Sequence, residues 1–150
     1  DPIKNIKFAH KLQFLKEVAA WQKGRQKSSG NMVLVGDLNI APLPTDVWSH
    51  KQLLKVVSHT PVEVKALKQL QLSGPWIDAI RKKIPPEKPV FTWWSYRSKD
   101  WTINNRGRRL DHIWTTEALK EKITAVDIYQ SARSWEKPSD HVPVTITLTP

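Results

Sequence analysis

The chain has 150 residues, no cysteine, eight tryptophans and a formal net charge of +10 at neutral pH. That length fits one domain with a respectable core, and the lack of cysteine excludes disulfides, thiolate metal sites and thiol catalysis and suits a reducing cytoplasm. No apolar run approaches the roughly 18 residues of a membrane span, no signal peptide opens the chain, and the charge points to a polyanionic partner unless it serves only solubility.

In chain order, Phe8, Leu12, Leu15, Val18, Ala19 and Trp21 recur near a helical period, predicting a helix over residues 8–23. Residues 24–31 read as a polar turn. Met32 to Val35 is a short apolar run that reads as a buried strand leading into Gly36-Asp37-Leu38-Asn39. Residues 48–57 look helical. Thr60-Pro61-Val62-Glu63 is a helix start, with a hydroxyl at the N-cap, proline in the first turn and glutamate at the third position. That helix should run to Leu72 and stop at Ser73-Gly74-Pro75. Residues 76–83 read as a shorter helix closed by Pro85-Pro86. Beyond it, runs of β-branched and aromatic residues over 90–96, 109–115, 123–129 and 142–148 predict strands. Neither repeats nor a low-complexity linker divide the chain, so it reads as one unit.

Four segments carry candidate chemistry. Asp37 and Asn39 end the first strand, at the sheet edge where ligands gather in open α/β folds, and strand alternation would turn both to one side. A carboxylate beside a carboxamide can take a proton from water and orient it; an Asx turn is the plainer use of the same residues. In Arg109-Leu110-Asp111-His112-Ile113-Trp114, Asp111 sits in a strand-like run and needs a partner, with Arg109 or a distant histidine as the alternatives. Asp140-His141, after a proline turn, could bind a metal, hold a phosphate or move a proton. Finally, residues 81–110 hold nine Lys or Arg against two acids, interleaved with Trp93, Trp94, Tyr96 and Trp101. Cations track phosphates and exposed aromatics stack on bases, although the tryptophans could equally be core. On a strand Trp93 and Trp94 face opposite sides, so only one of them should be core.

Together these segments resemble the second half of exonuclease III-type abasic-site endonucleases, within the endonuclease/exonuclease/phosphatase superfamily. The resemblance rests on residues 35–42 (VGDLNIAP), 92–97 (TWWSYR), 105–114 (NRGRRLDHIW) and 137–144 (KPSDHVPV), and residues 7–15 are similar to the family's helix after its central tyrosine loop. It therefore covers essentially the whole chain, and it implies an α/β fold: half of a four-layer sandwich, one mixed β-sheet flanked by helices.

The resemblance also implies roles. Asp37 would activate or position the attacking water, and Asn39 would orient it and the phosphate. His141 would contact the scissile phosphate, hydrogen-bonded to Asp111. Asp140, with Asp37, would serve a Mg2+ ion (Mn2+ being an alternative), directly or through water. Trp93 would line the pocket for a flipped-out abasic sugar, Arg108 and Leu110 would wedge into the duplex, and Arg97 and Arg106 would meet DNA. The expected partner is double-stranded DNA with abasic sites or 3′ ends, cut in nucleoid-associated DNA repair in the cytoplasm.

The family's first half carries an early asparagine, a principal metal-ligand glutamate and a catalytic tyrosine, and none of these can be placed here. The chain, which opens at Asp1 rather than a methionine, thus reads as a half-domain whose apolar sheet face needs a cover. The missing N-terminal half would supply it, or self-association of the fragment. Two other readings stay open: a superfamily branch acting on a lipid or another phosphoester, and a DNA-binding module without catalysis.

Overall fold

A computed structural model of the chain describes residues 4–25 and 30–150, so half of the expected polar turn over 24–31 lies outside the described residues. Helix α1 (Ile6–Lys23) starts at Asn5, whose side chain accepts from the amides of Lys7 and Phe8. Strand β1 (Val33–Asp37) follows. The helix expected over 48–57 is only one turn, α2 (His50–Leu53), because Ser49 caps it and Ser58, at φ 79°, turns the chain away. Helix α3 (Pro61–Leu72) forms the anticipated capping box: the Thr60 hydroxyl accepts from the Glu63 amide, and the Glu63 carboxylate takes the Thr60 amide.

The segment 76–83 is not all helix. Trp76–Asp78 forms β2, and only Ala79–Lys83 forms α4, capped by Asp78. Pairing with a central strand outweighs local propensity there, as Trp76 lies opposite Thr116. The remaining elements are β3 (Trp93–Trp94), α5 (Trp101–Asn104), β4 (Gly107–Arg108), β5 (Asp111–Thr116), β6 (Ile123–Ile128) and β7 (Val144–Leu148).

The α/β class holds, but the strand pairings among the described residues are all antiparallel, and they form three sheets rather than one mixed sheet: β1-β5-β2, β3-β4 and β6-β7. The run expected over 90–96 is cut to Trp93–Trp94, whereas those over 109–115, 123–129 and 142–148 form strands of five or six residues. One face of the central sheet presents Leu34, Trp76 and Trp114 to Leu15 of α1 and to Leu67 and Leu70 of α3, forming the main core. On the other face Ile113 packs with Ala79, Ile123, Val144 and Ile146. Beside it Val33 and Val35 stay 47% and 66% exposed on β1, an outer strand of its sheet. These two valines form an apolar strip on that outer strand.

Below the sheet lies a buried charge network. The Arg109 guanidinium donates to both oxygens of Asp46, at 2.7 and 2.9 Å, and to Asp78 at 2.8 Å. Burial by itself would raise the Asp46 pKa, but Arg109 and then Arg81 outweigh it and hold the carboxyl below its ordinary value. Such a triad is structural: losing one partner would strand a buried charge.

Candidate active site

Thr92 is the hinge of the site. It is fully buried, and its hydroxyl accepts from the amides of Leu110 and Asp111 while donating to the Asp111 carboxylate at 2.6 Å. That same oxygen, Asp111 Oδ2, lies 2.8 Å from His141 Nδ1. Arg109, the alternative partner for Asp111, is committed to Asp46 and Asp78, because it precedes the strand and turns inward. An ionised carboxylate has no proton to donate, so Nδ1 carries the proton of this hydrogen bond and Nε2 faces outward. Nε2 stands 3.7 Å from Asp37 Oδ2. Ligand atoms of Asp37, Asp111 and His141 all lie within 4.8 Å of one another.

The geometry explains how residues so distant in sequence meet. Asp37 ends β1 directly opposite Asp111, the first residue of β5. The loop bearing Asp140 and His141 is sewn to the tryptophan segment: Trp94 N donates to Asp140 O, Val142 N to Thr92 O, and Trp93 bridges His141. The Asp140 carboxylate, through Oδ2, accepts the Trp93 indole N–H at 2.9 Å.

Asn39 does not continue the strand. Its φ is 51°, and its amide donates to Asp37 Oδ1 at 2.8 Å. The alternation that would align the two side chains ends at Asp37, and an Asx turn replaces it. This leaves Asp37 Oδ2 free to face His141 and places Asn39 on the wall of the neighbouring cleft.

The two titrating groups are perturbed in complementary ways. Burial, the largest influence, lifts the Asp37 pKa; the Asn39 amide opposes it and the charge of Asp111 adds to it. For His141 burial alone would lower the pKa, but its hydrogen bond to Asp111 and the charges of Asp111, Asp37 and Asp140 together raise it. Both shifts favour the protonated form, so each group can hold a proton or pass it to the other.

Beside the cluster opens a cleft of about 760 Å³, walled by Asn39, Trp93, Arg97, Arg106, Arg108 and His141 among others. Trp93 is the half-exposed member of the tryptophan pair and Trp94 the buried one. Arg106 lies over the Trp48 ring and Arg108 over Trp93, at 4.6 and 5.2 Å. The two residues expected to wedge into the duplex both line the cleft itself. Leu110 is 4% exposed and packs with Ala41, Val47 and Leu53, so it floors the cleft and does not project as a wedge. Arg108 donates to Val57 O and Ser58 Oγ, so it is a tethered wall residue.

Thr92 supports the cluster and Trp48 lines the cleft, and the sequence reading does not single out either. A hydroxyl inside the apolar run Val90-Phe91-Thr92-Trp93 is the signal for Thr92; Trp48 has none, since it meets the cleft only through its pairing with Gly107.

A family model described as the endonuclease/exonuclease/phosphatase family matches residues 2–141. The chain is 33% identical to exodeoxyribonuclease III of Haemophilus influenzae over 144 residues, which cover 92% of the chain and 53% of that protein. Among solved structures it superposes on an AP endonuclease from Archaeoglobus fulgidus with a TM-score of 0.86 and 32% identity, covering 97% of this chain and 56% of that one. On a 3′ phosphatase from Neisseria bound to a product DNA hairpin, the TM-score is 0.88 at 28% identity, with 98% and 56% covered. The chain thus spans about half the length of the relatives it matches.

Proposed function

The chain belongs to the endonuclease/exonuclease/phosphatase family, and from that premise we propose that it supplies the water-activating and phosphate-binding side of a nuclease that hydrolyses the DNA backbone 5′ to abasic sites or at 3′ ends. The observation that carries this reading is the Asp111–His141 pair, whose free Nε2 stands 3.7 Å from Asp37 at the edge of a basic, aromatic-walled cleft.

Hydrolysis of a phosphodiester needs an activated water and neutralisation of charge on the pentacovalent phosphorus. Asp37, with its raised pKa, takes the proton of the water at Oδ2, and Asn39 orients that water. His141, fixed by Asp111, presents a protonated Nε2 to a non-bridging phosphate oxygen. Arg97 and Arg106 hold the flanking phosphates, and the Trp93 face receives a sugar turned out of the duplex. The homologue captured with a product DNA hairpin supports a DNA substrate.

The oxygen donors present fit a hard cation, though only in part. Asp111 Oδ2 is engaged by Thr92 and His141, and Asp140 Oδ2 by Trp93, which leaves Asp37 Oδ2 and the second oxygen of Asp140. Mg2+ takes a few carboxylate oxygens and keeps several waters, so these two would hold it, with Mn2+ as a substitute. When bound, the ion supplies charge neutralisation at the phosphate. We assign its remaining protein ligands to the half that the chain does not span.

The test compares substrates. The protein with its preceding half present should nick an abasic duplex in Mg2+ and leave a phosphoinositide or sphingomyelin headgroup intact. Turnover of the lipid and not of the duplex would move the chain to another branch of the family. Duplex binding without turnover of either would make it a binding module.

A further inference from the structure

Three consecutive backbone carbonyls leave the end of β1, and each accepts a hydrogen bond from a different part of the fold. The Asn39 carbonyl takes Lys11 Nζ of α1 at 3.0 Å. The Ile40 carbonyl takes His112 Nε2 of β5, and the Ala41 carbonyl takes His59 Nδ1, each at 2.7 Å. Both histidines are buried and donate to these carbonyls. Lys11 differs, because its ammonium is shared: it also forms an ion pair with the fully buried carboxylate of Glu63. That carboxylate accepts from the Ser58 amide through both oxygens, at 3.0 and 2.8 Å, and from the Thr60 hydroxyl. Ser58 in turn accepts from Arg108, whose charge lies over Trp93.

A buried carboxylate with three neutral donors at a helix start is complete as a cap. The added ammonium does something the cap does not need. It ties two left-handed turns together, Asn39 at φ 51° and Ser58 at φ 79°, both of which line the cleft. Left-handed backbone at a non-glycine residue persists only where its surroundings fix it. The Lys11 charge also acts on Asp37, lowering its pKa against the stronger effect of burial.

We propose that Lys11 is a positioning residue for the site, holding the Asn39 turn and the Ser58–Arg108 wall in register through one ammonium shared with Glu63. This rests on the reading of Asp37 and Asn39 given under Proposed function. Lys11 touches no reacting atom; it acts through Asn39, and through Asn39 on the free oxygen of Asp37.

The test uses three variants. Lys11→Met strands Glu63, Lys11→Arg keeps the charge, and the double variant Lys11→Met with Glu63→Gln removes both charges while keeping a cap for α3. In the protein that cleaves, kcat should fall about tenfold or more in Lys11→Met and in the double variant, since small misplacements of catalytic groups act on that scale. KM for duplex DNA should change little, and Lys11→Arg should recover most of kcat. In this chain by itself, hydrogen exchange of the Asn39 amide should speed up about tenfold or more in both methionine variants, the scale of losing a charged hydrogen bond, while the Leu67 amide in the double variant stays as in the parent. A double variant with parental kcat and parental Asn39 exchange would overturn the proposal and reduce Lys11 to a counter-charge for Glu63. If Asn39 exchange responds but Asp37→Asn leaves cleavage intact, Lys11 still sets the turn and the functional reading of the site fails.

Discussion

Asp111 Oδ2 and His141 Nδ1 stand 2.8 Å apart although thirty residues separate them, and the Thr92 hydroxyl donates to the same oxygen. The carboxylate therefore fixes both the tautomer and the direction of the ring. Because the Asp111 hydrogen bond is the largest of the influences that raise the His141 pKa, Asp111→Asn should lower it, shifting the ring's NMR titration to more acidic pH. In the parent, the stability contributed by this pair is complete below the ordinary histidine pKa and is lost as pH rises through the raised one. An unmoved titration in Asp111→Asn would mean that the contact carries no charge coupling.

His112 titrates in the opposite sense. Complete burial, and then the charge of Arg109, lower its pKa to about 4. Between pH 6.5 and 4 the unfolded chain binds a proton that the folded chain refuses, so stability should fall with pH across that window, by up to about 3 kcal/mol. His112→Gln keeps a donor for the Ile40 carbonyl but does not titrate. Urea unfolding at pH 7 and pH 4.5 should show a smaller loss in that variant; an equal loss would assign the effect to other groups.

Arg106 and Arg108 lie over tryptophan rings on the cleft wall. Phosphate contacts release counterions, so duplex affinity should fall steeply with salt, and replacing both arginines with alanine should flatten the slope by roughly one unit per lost contact. Fluorescence anisotropy at several salt concentrations reads this directly. Affinity that ignores salt would make the basic stretch a solubility device.

Much of this was legible in the residues, and the failures have specific causes. The Thr60–Glu63 spacing announces its capping box because every participant is local. The partner of Asp111 stays open between Arg109 and a histidine, since nothing local says that Arg109 turns inward to Asp46, 63 residues away. Trp76 reads as helix because its strand exists only by pairing with β5. Asn39 reads as strand because alternation does not show where a strand ends. Leu110 reads as exposed because its burial depends on Ala41, Val47 and Leu53, all distant in the chain.

Measured alone with Mg2+, the 150-residue chain should give no abasic-site cleavage above background. A hard cation needs several oxygens held in place, and among the described residues of this site only Asp37 Oδ2 and one oxygen of Asp140 accept no hydrogen bond. Val33 and Val35 are exposed on an outer strand, so sedimentation of the pure chain should also show self-association. Strong Mg2+-dependent nicking by a monomeric preparation would show that these residues suffice.

The most direct measurement is the single-turnover rate of abasic-duplex cleavage by the protein with its preceding half, as parent, Asp37→Asn and His141→Ala. If Asp37 takes the proton of the attacking water and His141 neutralises the phosphate, each variant should be slower by about 10²-fold or more, with its fold intact by circular dichroism. A rate near that of the parent in either variant would contradict the assignment and remove that residue from the site.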